Sequence, residues 1–189
     1  MKFSFWNFVA GFYDRLFSPM LNSDIPAICE LASFEKADLV LDYGGGTGRV
    51  ALAIRGKVAR VIVLDAASKM IAEACLKELE GEVVSGLPTH FEAASCDKII
   101  VIESFHHLPN QDDHLKEFWR LLKPDGVLLI EEPNLDSAIK YFLWLEHGFR
   151  HFPYWTADTW RAKLLTAGFL VQTEKIAGSR YFVKAKKIG

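Results

Sequence analysis

A glycine-rich segment behind a short apolar run is the part of this sequence best suited to bind a ligand. The fixed positions of its pattern, Asp-x-Gly-x-Gly-x-Gly, are Asp42, Gly44, Gly46 and Gly48. Glycines directly after a buried strand let a ligand approach the backbone closely. The helix that we expect to begin near Thr47 has free amide groups at its start, which favour an anionic group of the ligand.

Two common nucleotide-binding loops do not fit this spacing. A P-loop requires a lysine directly after its last glycine, and none of these glycines has one. A dinucleotide-binding loop requires Gly-x-Gly-x-x-Gly, and its third glycine would fall on Arg49 or Ala51. The spacing instead suits a zwitterionic amino acid carried on a nucleoside, with Asp42 near the amino group.

An acidic residue at the end of the next predicted strand fits the same ligand. Asp65 lies 19 residues after Gly46. A carboxylate there can accept hydrogen bonds from both hydroxyls of a ribose. The structural alternative is that Asp65 caps the helix that starts after Ala66. With the glycine pattern before it, ribose binding is the interpretation we favour.

The candidates for a general base follow the fourth predicted strand. They are Glu103, His106 and His107. Their place at the carboxyl end of a strand would bring them near the ligand, although the two histidines can instead cap the following turn and pack locally. A metal site would add Asp112 and His114, but adjacent histidines point in different directions, so we expect no metal ion.

Alternating strands and helices must position these residues. Continuous apolar strands separated by helices predict an α/β fold, with a parallel sheet covered on both faces and ligands bound at the carboxyl ends of its strands. The last two strands predict an antiparallel hairpin, and the last helix has Thr156 as its expected cap and Gly168 as its expected stop. The predicted strands are 39–43, 61–64, 82–85, 98–102, 127–131, 169–176 and 180–186. The predicted helices are 5–17, 23–34, 47–55, 68–80, 112–122 and 157–166.

The composition is that of an ordinary globular domain. The 189 residues are 50% hydrophobic and 24% charged, enough for one core. A net charge of −2 without a basic face argues against nucleic acid as a partner. Three scattered cysteines indicate neither a zinc cluster nor disulfides and favour a reduced, cytoplasmic setting. We expect no signal peptide, and no stretch approaches the roughly 20 apolar residues of a membrane span.

Several segments, taken in order, resemble the motifs of class I S-adenosylmethionine-dependent methyltransferases, in the branch that contains the ubiquinone and menaquinone C-methyltransferases. The matching segments are 10–14, 40–48, 63–70, 95–108, 120–126 and 164–169. The resemblance spans roughly residues 8–187. It implies a Rossmann-like fold with a mostly parallel seven-stranded sheet, an antiparallel strand from the C-terminal hairpin and helices on both faces.

The resemblance also implies a set of contacts to S-adenosylmethionine. The residues that it places at this cofactor are Tyr13, Asp42, Gly44, Gly46, Gly48, Asp65, Ala66, Met70, Ser85, Gly86 and Glu103. Tyr13 would reach the methionine end, and Met70 would pack on the adenine. The family usually has an acidic residue and then a small one after strand three. Those positions fall on Ser85 and Gly86, so the contact to the adenine amino group lacks its usual charge.

Aromatic residues are dense in two segments, 3–17 and 141–160. We expect them to form a lid and an apolar acceptor pocket, in which His147, His151 and Tyr154 could touch the acceptor. The alternatives are that they only cover the sheet, or that the first segment contacts a membrane surface. Few basic residues accompany that segment, so membrane contact is the less favoured alternative.

These observations predict one methyltransferase domain with a small, largely apolar methyl acceptor. Its parts would be N-terminal cap helices (1–35), a cofactor-binding core (36–132), an aromatic lid (133–160) and a closing helix and hairpin (161–189). Methyl transfer mainly needs in-line alignment, and it needs a base only if the acceptor loses a proton. The alternative is a cofactor-binding protein without catalysis that acts as a partner or regulator. A nicotinamide-dependent dehydrogenase is a third, less favoured alternative.

Overall fold

The strands of the described chain form a single mixed sheet in a computed structural model that describes residues 25–134 and 154–188. The strand order is β3-β2-β1-β4-β5-β7-β6. The strands are β1 (Leu39–Tyr43), β2 (Arg60–Asp65), β3 (Glu80–Val83), β4 (Cys96–Ile102), β5 (Leu122–Pro133), β6 (Phe169–Ala177) and β7 (Arg180–Lys187). The helices are α1 (Ile25–Ala32), α2 (Arg49–Ile54), α3 (Ser68–Leu76), α4 (Gln111–Leu121) and α5 (Ala157–Thr166), with a 3₁₀ turn at Phe105–His107.

The sheet has the predicted mixture of directions. Strands β1 to β5 pair in parallel, and β7 pairs antiparallel with both β5 and β6. The chain moves outward from β1 to β3, then crosses back to place β4 on the other side of β1. Adjacent strands whose connections leave in opposite directions open a crevice at their carboxyl ends. The predicted α/β, Rossmann-like fold with a seven-stranded sheet is therefore confirmed.

Helices cover both faces of the sheet because the central strands are apolar on both sides. On one face, Val40 and Val63 belong to a buried cluster with residues of α1, α2 and α3. On the other face, Leu41 and Leu64 belong to a buried cluster with residues of α4 and α5. Each such side chain contributes roughly 1.5–3 kcal/mol by leaving water. This burial fixes the strand ends that carry the site.

Three predicted elements have different boundaries for local reasons. The helix predicted over 68–80 ends at Leu76, and Glu78 takes a left-handed conformation with φ 60° that turns the chain. The third strand therefore begins at Glu80 and ends at Val83, earlier than the predicted 82–85. The fifth strand begins at Leu122, earlier than the predicted 127, and within it the pairing with β4 shifts register and Asp125 has φ 64°.

The C-terminal elements agree with their predicted caps. Thr156 Oγ1 accepts a hydrogen bond from the Thr159 amide at 3.3 Å, at the start of α5. Gly168 follows that helix with φ 88°. The predicted helix over 5–17, the contact of Tyr13, the residues His147 and His151, and most of the aromatic segment 141–160 lie outside the described residues. None of the described helices is long and apolar enough to cross a membrane.

Candidate active site

A cavity of about 1280 Å³ opens at the carboxyl ends of the central strands. The predicted site residues in its wall are Asp42, Gly44, Gly46, Asp65, Ala66, Met70, Ser85, Gly86, Glu103, His106 and His107. We call the part lined by residues 44–46, 65–70 and 84–87 the glycine half. We call the part lined by residues 106–114, Trp155 and Lys163 the histidine half. One cavity thus joins both groups of predicted residues.

The glycine loop is held by hydrogen bonds within the protein. The Gly44 amide donates to Leu64 O at 2.6 Å, and the Gly48 amide donates to Gly45 O at 2.9 Å. The Gly46 amide donates to Asp65 Oδ2 at 3.0 Å. These amides are therefore engaged rather than turned to a ligand, and the loop is not a nest for phosphate. At the start of α2, the Ala51 amide donates to Asp42 Oδ2 at 3.3 Å, so this amide is not available to a ligand.

The glycines leave space on one side of this loop only. A Cβ on Gly44, which has φ 72°, would lie 2.5 Å from Ser104 Oγ, so the loop is tight against β4. A Cβ on Gly46 would have Met70 Sδ as its nearest neighbour, at 4.0 Å. Gly46 and Met70 both line the cavity, and we call the opening beside them the Gly46–Met70 gap; the resemblance assigns the nucleoside to this place.

Gly48 has a different role from the one predicted. It does not belong to the cavity wall. A Cβ there would lie 2.4 Å from Leu79 Cδ1 and 3.2 Å from Val63 Cγ2, and its φ is 76°. Gly48 therefore lets α2 start close against the sheet, and its contribution to the site is indirect.

The Asp65 carboxylate accepts hydrogen bonds from the backbone and also lines the cavity. Its Oδ2 accepts from Gly46, and its Oδ1 accepts from the Ala67 amide at 2.8 Å. Burial raises the pKa of Asp65, against the backbone hydrogen bonds, which lower it. The Ala66 amide is a third backbone partner of this carboxylate. An ionised carboxylate has about four acceptor positions, so it retains room for one hydroxyl donor. The structural interpretation is thus compatible with a hydrogen bond to the ribose.

Asp42 lies beneath the loop and is almost completely buried. Its carboxylate joins the end of β1 to α2 through the Ala51 amide. Burial raises the pKa of Asp42 to about 7, although that hydrogen bond and the charge of Arg49 lower it. A cationic group in the cavity would favour the ionised form.

Glu103 belongs to a charged cluster that includes residues missed in the sequence. Its Oε1 accepts from Arg180 Nη1 at 2.6 Å, and its Oε2 lies 3.9 Å from Arg49 Nη2. Arg180 also forms an ion pair with Glu131, whose side chain is fully buried. Burial raises the pKa of Glu131 to about 7. The negative charge of Glu103 also raises it, while the positive charge of Arg180 lowers it.

His106 is held by a second residue that sequence reasoning missed. Its Nδ1 lies 2.7 Å from Glu132 Oε2, and both side chains are buried. The other oxygen of Glu132 accepts from the Phe105 amide at 2.9 Å. The ring of Tyr154 stacks on His106 with centroids 5.0 Å apart. A carboxylate on Nδ1 favours the tautomer in which Nε2 is the basic nitrogen.

The wall of the histidine half mixes aromatic and charged groups. Trp155 packs against Phe105 and Trp160, with ring centroids 5.1 and 4.7 Å away. The ammonium of Lys163 lies 5.7 Å from the Trp155 ring and pairs with Asp112 at 2.5 Å. Within residues 25–134 and 154–188, no group of three or more potential ligands is arranged to hold a metal ion.

Sequence signals for the missed residues were weak but present. Glu131 and Glu132 are adjacent acids at the end of an apolar strand, a position where buried carboxylates usually have a function or a partner. No pattern links them to Arg180 or Trp155, which come from distant parts of the chain. Only the fold brings these side chains together.

The strand order and the cavity at the crossover together define a class I methyltransferase fold with a ligand site at the carboxyl ends of its central strands. The chain belongs to the methyltransferase domain family, whose model matches residues 10–174. S-adenosylmethionine is the cofactor that this family implies, and the residues of the glycine half fit it.

Individual proteins show the same relationship. The ubiquinone/menaquinone biosynthesis C-methyltransferase UbiE of Brucella anthropi is 33% identical over 57% of this chain and 46% of its own length. The methyltransferase in complex with the Haloferax volcanii Trm112 activator has a TM-score of 0.78 at 20% identity, over 97% of this chain and 98% of that one. A SAM-dependent methyltransferase from Aquifex aeolicus has a TM-score of 0.71 at 20% identity, over 87% and 90%. The chain spans less than half the length of the curated relatives it matches.

Proposed function

We propose that this chain transfers the methyl group of S-adenosylmethionine to a small-molecule acceptor that loses a proton in the reaction. The observation that carries this proposal is the buried His106–Glu132 pair in the wall of the cavity that also contains the glycine loop. Catalysis gives this histidine a use beyond local packing, because the carboxylate on Nδ1 leaves Nε2 as the basic nitrogen.

The glycine half would hold the cofactor. Asp65 would accept a hydrogen bond from the ribose, the Gly46–Met70 gap would take the adenine side, and Ser85 would approach the adenine amino group. Glu103 and Asp42 would face the methionine end, where their negative charge attracts the ammonium and sulfonium groups. The bound sulfonium supplies an activated methyl group, so the protein's own task is alignment and proton removal.

His106 would take the acceptor's proton. The acceptor atom loses one proton to Nε2 of His106 and gains one methyl group, while S-adenosylhomocysteine remains. Glu132 would stabilise the resulting imidazolium through Nδ1–H, as a charge-assisted hydrogen bond. General-base catalysis of this kind contributes typically about 10²–10⁴-fold to a rate.

The histidine half favours a planar acceptor with a polar substituent. Trp155 offers an aromatic face, while Lys163 and Asp112 offer charged groups beside it. We therefore narrow the expected apolar acceptor to a phenol, a quinol or an enolisable carbon, whose reacting atom carries a removable proton. The relative named a C-methyltransferase supports a carbon acceptor. A cytoplasmic location is part of the proposal, supported by three free cysteines.

The test is an assay with the purified chain and methyl-labelled S-adenosylmethionine. The acceptor panel contains quinols, monophenols, 1,3-dicarbonyl compounds and primary amines, and the readout is the labelled product by mass spectrometry. We expect turnover with at least one phenolic or carbon acceptor and none with amines. Cofactor binding without turnover on the whole panel would favour the inactive alternative, and no binding at millimolar cofactor would overturn the proposal.

A further inference from the structure

Arg180 occupies an unusual place for a charged residue. It is the first residue of β7, where it pairs with Pro133 of β5, and its side chain is only 14% exposed. From the hairpin it contacts two carboxylates at once, Glu103 after β4 and Glu131 on β5. The guanidinium therefore joins the C-terminal hairpin to a residue of the cavity wall.

The two carboxylates do not have equal surroundings. Glu103 lines the cavity in a left-handed conformation with φ 51°, and its amide donates to Glu131 O at 2.8 Å. Glu131 has no exposed surface, and its Oε2 has no hydrogen-bond partner among the described residues. A buried, half-satisfied carboxylate next to a second one is a costly arrangement, which Arg180 relieves.

The Glu103 carboxylate is thus surrounded by charged groups from three elements. Arg180 faces it from β7, Glu131 from β5 and Arg49 from α2, while Asp42 on β1 also interacts with Arg49. Without Arg180, two carboxylates would meet in a poorly solvated place, and Glu103 would lose the donor that holds its Oε1. A Glu103 carboxylate displaced by this repulsion would attract a cationic ligand group in the cavity less strongly.

We propose that Arg180 is a positioning residue of the cofactor site, which holds the Glu103 carboxylate at the cavity wall by balancing the buried Glu131. This inference rests on the proposed function, because the ligand group that Glu103 would meet is the ammonium of the cofactor's methionine end. It extends the site from the central strands to the C-terminal hairpin, a segment without sequence signals for ligand binding.

The test measures the affinity for S-adenosylhomocysteine by titration calorimetry at pH 7. For Arg180→Met we expect about a tenfold loss of affinity, or about 1.4 kcal/mol. Arg180→Lys, which retains a cation and a hydrogen-bond donor, should stay within about threefold of the original protein.

A double variant separates charge from structure. In Arg180→Met/Glu131→Gln the second carboxylate is removed. The affinity for S-adenosylhomocysteine at pH 7 should therefore return to within about threefold of the original protein. The matched control is Arg161→Met, because Arg161 is an exposed residue of α5 that pairs with Glu174 and Asp158, and we expect no change in affinity.

Other results overturn the inference. An Arg180→Met loss that the double variant does not relieve would indicate only a structural role, and no loss in Arg180→Met would contradict the proposal outright. If Arg180→Met does not fold by circular dichroism, the double variant decides, and a tenfold loss in it at pH 7 contradicts the proposal. If the unmodified protein itself does not bind S-adenosylhomocysteine, the proposed function fails instead.

Discussion

The glycine half and the histidine half of the cavity are built in different ways. In the glycine half, backbone amides and the carboxylate of Asp65 hold one another, and the ligand space follows from missing side chains. In the histidine half, the working side chains are held by other side chains, as Glu132 holds His106 and Phe105 supports Trp155.

Because of this difference, the two halves should respond differently to substitution. A loop fixed by its own backbone needs glycine at few positions and offers the same ligand space whatever the neighbouring side chains are. A wall made of packed side chains changes its chemistry with each substitution. We therefore expect substitutions in the glycine half to change cofactor affinity and those in the histidine half to change turnover and acceptor preference.

Removing His106 should produce the largest effect and tests this separation directly. For His106→Ala we expect turnover to fall by about 10²–10⁴-fold because the acceptor's proton has no nearby base. The affinity for S-adenosylhomocysteine, measured by calorimetry, should stay within about threefold. Glu132→Gln should lose less turnover, since the amide can still accept from Nδ1–H. A drop in cofactor affinity that matches the drop in turnover would mean that the halves are not separable.

Removing the carboxylate of Asp65 should produce the reverse pattern. For Asp65→Ala we expect more than a tenfold loss in affinity for S-adenosylhomocysteine, because ribose loses its acceptor and the Gly46 and Ala67 amides lose theirs. The matched control is Asp158→Ala, at an exposed carboxylate in α5. If the affinity stays within about twofold, roughly 0.4 kcal/mol, Asp65 does not bind the ribose.

Sequence reasoning reached the glycine half more completely than the histidine half, for a physical reason. The glycine loop and Asp65 follow consecutive strands, and the carboxyl ends of neighbouring parallel strands meet. Strand periodicity and residue type were therefore sufficient to predict that the glycine loop and Asp65 lie close together. The bonds of the Gly44, Gly46 and Gly48 amides within the protein were not predicted, because a hydrogen-bond network is not visible in residue spacing.

The histidine half depends on contacts between distant segments. His106 was predicted as a candidate base, but its partner Glu132 comes from the next strand and Trp155 from a segment after it. The pairing of β7 with β5 also decides that Arg180 meets Glu103, and a one-residue slip in that register would turn Arg180 to the other face. Such pairings are set by tertiary packing, which a single sequence does not specify.

The buried carboxylate of Glu131 predicts a pH effect on stability. Its folded pKa of about 7 lies above the unfolded value, so the folded state binds the proton more tightly, and stability falls as pH rises from about 5 to about 7. Glu131→Gln should remove this contribution. Between pH 5.5 and 7.5 the free energy of unfolding of the unmodified protein, followed by thermal denaturation, should therefore fall by about 2 kcal/mol more than that of the variant. Asp42 and His114 titrate in both proteins and cancel in the comparison. Parallel curves would contradict the raised pKa of Glu131.

The smallest expected effect concerns the helix that supports the histidine half. Thr156 caps α5, which carries Trp160 against the aromatic group and Lys163 at the cavity wall. Thr156→Ala should cost about 0.5–1 kcal/mol of unfolding free energy in urea, because the Thr159 amide loses its acceptor. Thr156→Ser keeps the hydroxyl and should restore most of that stability. Because the cap acts on one wall only, the acceptor KM should rise by less than about threefold while the affinity for S-adenosylhomocysteine stays unchanged. An equal change in the acceptor KM and in the affinity for S-adenosylhomocysteine would mean that α5 supports the whole cavity. The two halves would then differ in their chemistry but depend on the same helix for their structure.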